Sequence, residues 1–196
     1  MNRNQFLKTT AVNISDKELL ELCGSGNNSG YSVLYQRYSK AAFNSIFRLV
    51  NDREEAEDIL QEVFVKAFSE IKSLKNTDSF GGWVKRIAIN HALNFLRKKK
   101  IYFAEIEDDK MLDTKDDELE EKLDLEFRIE ELQNVIAELP LQIRTIVNLF
   151  LFENMPQEEI AKELNIPPGT VRSYYHRAKK KIFEKLTQKC KNERFA

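Results

Sequence analysis

Cysteine is almost absent from this chain of 196 residues, which holds only Cys23 and Cys190. Two widely separated thiols make no disulfide framework, and neither has a second thiol or a histidine at ligand spacing to make a zinc site. A reducing compartment is therefore expected. Six glycines and four prolines leave little to punctuate the chain into short strands and hairpins. Long apolar runs are also missing: no stretch approaches the roughly 18 residues that span a bilayer, and the opening residues lack the apolar segment of a secretory signal. A soluble, unexported, cytoplasmic protein without membrane insertion is expected. With two histidines, no glycine-rich phosphate loop and the carboxylates concentrated in one tract, no catalytic constellation, metal site or cofactor is expected either.

What is abundant is Leu, Ile, Lys and Glu, and 32% of the residues are charged. That composition favours an all-α fold. The formal net charge is only −1, but the sum hides a strong asymmetry. Between Glu105 and Glu126 the chain is dense in acid, with only Lys110, Lys115 and Lys122 to offset it. Such a segment buries little apolar surface and reads as a flexible acidic tether, either a solubilising linker or a cover for basic surfaces. The remainder is basic. The expected organisation is a helical domain over 1–100, an acidic linker over 101–124 and a second helical domain over 125–196, matching the length of two small lobes.

In the first lobe, Ser15 followed by Glu18 has the spacing of a capping box, so a short helix over 15–22 is expected ahead of a loop at 24–30. A second helix spans 31–50, with Leu34, Tyr38, Ala41 or Ala42, Ser45, Ile46 and Leu49 on one stripe. A third spans 54–74, its broad apolar face made by Ile59, Leu60, Val63, Phe64, Ala67, Phe68 and Ile71. Asp58, Gln61, Glu62, Val65 and Ser69 recur at steps of three and four on its other side. An exposed valine inside a polar stripe is either a partner-binding strip or a solvated face with one stray apolar residue. After a loop at 75–82, a fourth helix runs from Trp83 to about Lys99. Val84, Ile87, Ala88, His91 and Phe95 share one face, making His91 a core histidine. Trp83, Arg86, Asn90, Asn94 and Arg97 share the other. Arginines suit phosphates and asparagines suit base edges, while Trp83 can stack on a base or pack on the helix over 31–50. Arg97 to Lys100 closes the lobe with a phosphate-seeking cluster.

In the second lobe, one helix carries Leu125, Ile129, Leu132, Val135, Ile136 and Leu139 and stops before Pro140, and another carries Ile143, Ile146, Val147, Phe150 and Leu151. The most specific segment follows, from Pro156 to Ile182. It reads as two short amphipathic helices meeting at a tight turn, a helix-turn-helix whose second helix has a basic face. Ile160, Ala161, Leu164, Ile166, Val171 and Tyr174 or Tyr175 supply the apolar contacts, and Asn165 stands at the turn, where positive φ is required. Pro167 and Pro168 set φ where the second helix begins. Val171, Tyr175, Ala178, Ile182 and Leu186 form its expected buried stripe. Its free face is expected to use Arg172, Ser173, His176 and Arg177 to read base edges, and Lys179, Lys180 and Lys181 to hold phosphate.

Four stretches together resemble the extracytoplasmic-function sigma factors of bacterial RNA polymerase: AspArgGluGluAlaGluAspIleLeuGlnGluValPheValLysAlaPhe at 52–68, TrpValLysArgIleAlaIleAsnHisAlaLeuAsnPheLeuArgLysLysLys at 83–100, GluLeuProLeuGlnIleArgThrIleVal at 138–147, and GluGluIleAlaLysGluLeu with GlyThrValArgSerTyrTyrHisArgAlaLysLysLys between 158 and 181. The resemblance implies that 1–100 is sigma region 2 and 125–196 sigma region 4. It implies that Asp58, Gln61, Glu62 and Val65 bind the clamp of the polymerase's largest subunit. It also implies that Lys75, Phe80, Arg86, Asn90, Asn94 and Arg97 capture the melted minus-ten element, and that the helix-turn-helix reads the minus-thirty-five duplex. Core polymerase and promoter DNA, as duplex and as melted strand, are the implied partners, and an anti-sigma factor is left open. Asn94 stands where many members carry aspartate, Pro156 where a Ser or Thr cap is common, and the loop at 24–30 lacks the usual GlyAsp pattern. The competing reading is a duplex-binding repressor or activator that uses the second lobe alone, which leaves 83–100 without a task.

Overall fold

The structure, a computed structural model, describes residues 14–74, 80–99 and 129–194, the side chains of 129–130 and 189–194 excepted. Lys75, the acidic tether and Leu125 lie outside the described residues. All regular structure among the described residues is helical. The chain divides into two compact units, 1–100 and 101–196.

The first unit is built from α1 (Asp16–Gly24), α2 (Asn28–Val50), α3 (Arg53–Ser69) and α4 (Phe80–Lys98). The Ser15 hydroxyl accepts the Glu18 N–H at 3.3 Å while the Ser15 N–H donates to the Glu18 carboxylate at 2.8 Å, the reciprocal capping box that the spacing predicts. These bonds hold the Glu18 carboxyl below its ordinary value. Helix α2 begins earlier than expected because the Asn27 side chain caps the Ser29 N–H at 3.0 Å. Gly30, expected in a loop, is a buried helical residue whose backbone lies against the Leu19 carbonyl and Cys23, with no room for a Cβ. Glycine here serves close helix approach rather than a turn.

Asn51 ends α2 in the left-handed conformation at φ 57°, and its N–H donates to the Phe47 carbonyl at 2.7 Å. Asp52 then caps α3 through the Glu55 N–H. The helix expected over 54–74 breaks at Glu70 into a 3-10 turn, Ile71–Ser73, and Ile71 is only half-buried. The Ser69 and Ser73 hydroxyls donate to the Lys66 and Glu70 carbonyls at 2.8 and 2.7 Å, local bonding that competes with a continuing helix. Helix α4 starts at Phe80, so Phe80 to Gly82 are helical and not loop. The core of the unit joins Leu34, Ile46 and Leu49 of α2, Val63 and Ala67 of α3, and Phe80, Val84, Ala88 and Ala92 of α4.

The second unit holds α5 (Ile129–Ala137), α6 (Leu141–Leu151), α7 (Gln157–Leu164) and α8 (Pro168–Arg194). Between α5 and α6, Arg144 donates to the carbonyl of Ala137 at 3.0 Å, satisfying an orphan acceptor at the end of α5. Leu151, expected on the apolar stripe of α6, is exposed. The stripe of α8 also differs by one residue from expectation. Tyr174 is buried with Val171, Ala178, Ile182 and Leu186, while Tyr175 is half-buried at the edge, its ring 4.6 Å from that of Phe150. Periodicity admits either tyrosine, and the packed lobe buries Tyr174 more deeply.

Asn165 adopts φ 54° and ψ 46° after α7, and the Ile166 N–H reaches back to the Ala161 carbonyl at 3.0 Å. The turn thus closes as a left-handed helix cap. Asn165→Gly is expected to leave stability unchanged or raise it, while Asn165→Val lowers it by about 1–2 kcal/mol because a β-branched residue resists positive φ. Urea titration of the full chain followed by circular dichroism tests this; equal stability of the two variants would refute the strain.

Candidate nucleic-acid interface

Three outward faces emerge from this scaffold. On α3, burial of Ala56, Ile59, Leu60, Val63, Phe64 and Ala67 turns Asp58, Gln61, Glu62 and Val65 to solvent. Val65 is 71% exposed, an apolar side chain left in water among carboxylates and an amide. The strip combines two carboxylates, an amide and an exposed apolar side chain, with Glu62 also near His91 of α4. Arg53 and Glu57 pair along the helix at 2.9 Å, and Lys99 reaches Glu55 at 2.7 Å to tie the end of α4 to α3.

On α4, the apolar face points inward and Arg86, Asn90, Asn94 and Arg97 are exposed. At 100° per residue they lie within an arc of about 80°. Trp83 shares that arc, half-buried, its ring 5.9 Å from Phe80. Arg97 donates to the Asn94 side-chain oxygen at 2.7 Å, so the amide accepts as an aspartate there would. This is a ledge of donors and acceptors with an aromatic at one end, the chemistry that suits an unstacked strand.

Phe80 departs from expectation. It is fully buried, at 0% exposure, between Tyr38 at 5.5 Å and Trp83. A ring with no accessible face offers nothing to a base, so Phe80 leaves the set of strand contacts and joins the core. His91 is also displaced from its expected role. Ala88, Ala92 and Leu96 line the centre of the buried face, while His91 sits at its border, 23% exposed, with Nδ1 3.5 Å from a Glu62 carboxylate oxygen. Among the described residues, no group of three or more His, Cys, Asp or Glu could hold a metal ion.

On α8, Arg172, Lys180 and Lys181 are exposed, and Ser173, His176, Arg177 and Lys179 are partly so. Arg172, Ser173, His176, Lys179 and Lys180 fall on one side of the helix; Arg177 turns toward the flank, its guanidinium 6.0 Å from the Tyr174 ring. Lys179 lies 5.5 Å over Tyr175. A ring of the buried stripe and one at its edge thereby lie beside two of the cations. The Ser173 hydroxyl donates to the Thr170 carbonyl at 3.1 Å, leaving its lone pairs outward. In the first lobe the Tyr38 hydroxyl donates to the Asp16 carboxylate, and no repeat along the sequence joins the two.

Two family models match the chain: Sigma-70 region 2 over residues 34–101, and Sigma-70, region 4 over residues 129–182. The RNA polymerase sigma-H factor of Pseudomonas aeruginosa is 33% identical over 180 residues, 87% of this chain and 93% of that protein. This chain is an extracytoplasmic-function sigma factor. The ECF RNA polymerase sigma-E factor of Haemophilus influenzae is 30% identical to this sigma factor over 185 residues, 90% of this chain and 97% of the relative. A solved structure of CnrH in complex with the cytosolic domain of CnrY has a similar fold, with a TM-score of 0.50 and 21% identity over 88% of this chain and 97% of that one. Sigma factors are transcription initiation factors and not enzymes. Among the described residues no helix of this sigma factor is long and apolar enough to cross a membrane.

Proposed function

We propose that this sigma factor recruits core RNA polymerase through the α3 strip, captures the melted minus-ten strand on α4 and reads the minus-thirty-five duplex with α8. The carrying observation is that α3 and α4 of one lobe present two chemically different outward faces. Asp58, Gln61, Glu62 and Val65 form an acidic and apolar strip, and Arg86, Asn90, Asn94 and Arg97 form a cationic and amide ledge. The acidic strip repels nucleic acid and suits a basic protein partner, whereas the ledge suits a strand. Binding to the exposed bases offsets the few kcal/mol that unpairing costs at each step. A repressor working through α8 alone has no use for either face. The site of action is the cytoplasm, where the polymerase works. An anti-sigma factor belongs to the same reading as a further partner.

The test is promoter-specific initiation by purified protein mixed with bacterial core polymerase on a promoter library. Specific transcripts are expected, and none from core enzyme alone. Arg172→Ala is expected to weaken binding by about 1–3 kcal/mol and relax preference at one upstream base pair, because a bidentate arginine contact carries that discrimination. Operator binding without polymerase, and no specific transcripts with it, would favour the repressor.

A further inference from the structure

Helix α1 has no task in the function proposed above, yet it carries a partly buried ion. The Asp16 side chain is only 13% exposed. One of its oxygens pairs with the Arg37 guanidinium at 2.5 Å, and the other accepts the Tyr38 hydroxyl. Arg37 also donates to the Ile14 carbonyl at 2.8 Å, so the carboxylate is tied on both sides. Burial first, and then the hydrogen bond and charge of Asp16, push the Tyr38 hydroxyl up to about 12. A tyrosine hydroxyl is protonated at neutral pH in any case, and here it donates to Asp16.

The other end of Tyr38 meets α4. Its ring lies 5.5 Å from Phe80 and covers Gly81 so closely that a Cβ there would enter the ring. Phe80 in turn backs Trp83 at 5.9 Å. Filling space does not require this arrangement, since phenylalanine has the same ring. A partly buried hydroxyl and carboxylate gain by satisfying each other, so what the pair contributes is a fixed ring orientation rather than bulk.

We propose that Asp16 and Tyr38 form a brace that sets the first turn of α4, and with it Trp83 and Arg86, for the melted promoter strand, so that α1 serves strand selection without touching DNA. Tyr38 and Asp16 are then positioning residues, and this rests on the reading of α4 as the minus-ten reader. A strand-reading contact tolerates little misplacement, so a ring free to tilt relaxes discrimination before it unfolds the lobe.

The experiment uses holoenzyme reconstituted with the full chain. The probes are single-stranded oligonucleotides taken from the minus-ten region of a promoter that the wild-type holoenzyme opens, unaltered or with single base changes. Tyr38→Phe is expected to reduce discrimination between unaltered and altered strands about fivefold, with polymerase affinity and upstream-duplex affinity unchanged. Asp16→Ala behaves in the same way. Asp16→Asn, which keeps an oxygen to accept the hydroxyl, restores most of the discrimination. Thermal melting is followed in parallel. Unchanged discrimination in Tyr38→Phe, or a uniform loss of affinity for all strands in step with a lowered melting temperature, overturns the brace. A wild-type holoenzyme that opens no promoter removes the function reading and the brace together, and is recognised because the wild type itself is inert.

Discussion

Phe80→Ala is expected to destabilise the first lobe by about 3–5 kcal/mol, the cost of losing a buried ring and leaving a cavity where the surroundings relax only in part. The site has little freedom to collapse. Phe80 is held between Tyr38 and Trp83, and Gly81 beside it is already pressed against the Tyr38 ring. A loss of that size is a large share of the roughly 5–15 kcal/mol that keeps a domain folded. Urea titration followed by circular dichroism measures it. Phe80→Leu, which refills part of the volume, is expected to cost less than Phe80→Ala and to leave strand capture by the holoenzyme near wild type. The opposite pattern, stable variants that lose capture, would return Phe80 to the DNA surface and refute its place in the core.

Charge reversal on α3 has the second large effect. Asp58→Lys with Glu62→Lys is expected to weaken binding to core polymerase by about 100-fold or more, because two attractive contacts become repulsive ones. Val65→Ser, removing an apolar side chain that only a partner can bury, is expected to weaken it about tenfold. Folding stability should move by no more than about 0.5 kcal/mol, as these side chains are exposed and the Glu62 contact with His91 is long. Competition binding against the unaltered protein, at several salt concentrations, provides the measure. Unchanged affinity in the double variant would remove the strip from the polymerase interface.

Sequence and structure agree best where the determining chemistry is local. The Ser15–Glu18 box and the left-handed Asn165 depend on residues within a few positions of one another, so their spacing alone specifies the geometry. Arg86, Asn90, Asn94 and Arg97 were legible as one face because helical periodicity aligns them wherever the helix sits. The faces of α3 follow from the same repeat.

Agreement fails where two elements must meet. A Phe-Gly-Gly run reads as a loop, yet Phe80 is buried because α2 offers the Tyr38 ring and Gly81 lets it come close. Likewise Gly30 is helical because α1 needs the space a side chain would take. Tyr174 and Tyr175 flank the apolar stripe on opposite sides, and only the packed lobe shows Tyr174 buried and Tyr175 at the edge beside Phe150.

The sequence by itself determined the helical class, the polar faces, the helix-turn-helix and the family, because each is written in short-range spacing and in an ordered set of motifs. Only the tertiary structure decided that Phe80 is core, that His91 borders Glu62, and that Asp16 holds Tyr38 beneath the start of α4. Those outcomes depend on side chains from different helices competing for one volume and satisfying one another's polar groups, and no repeat along a single chain encodes that competition.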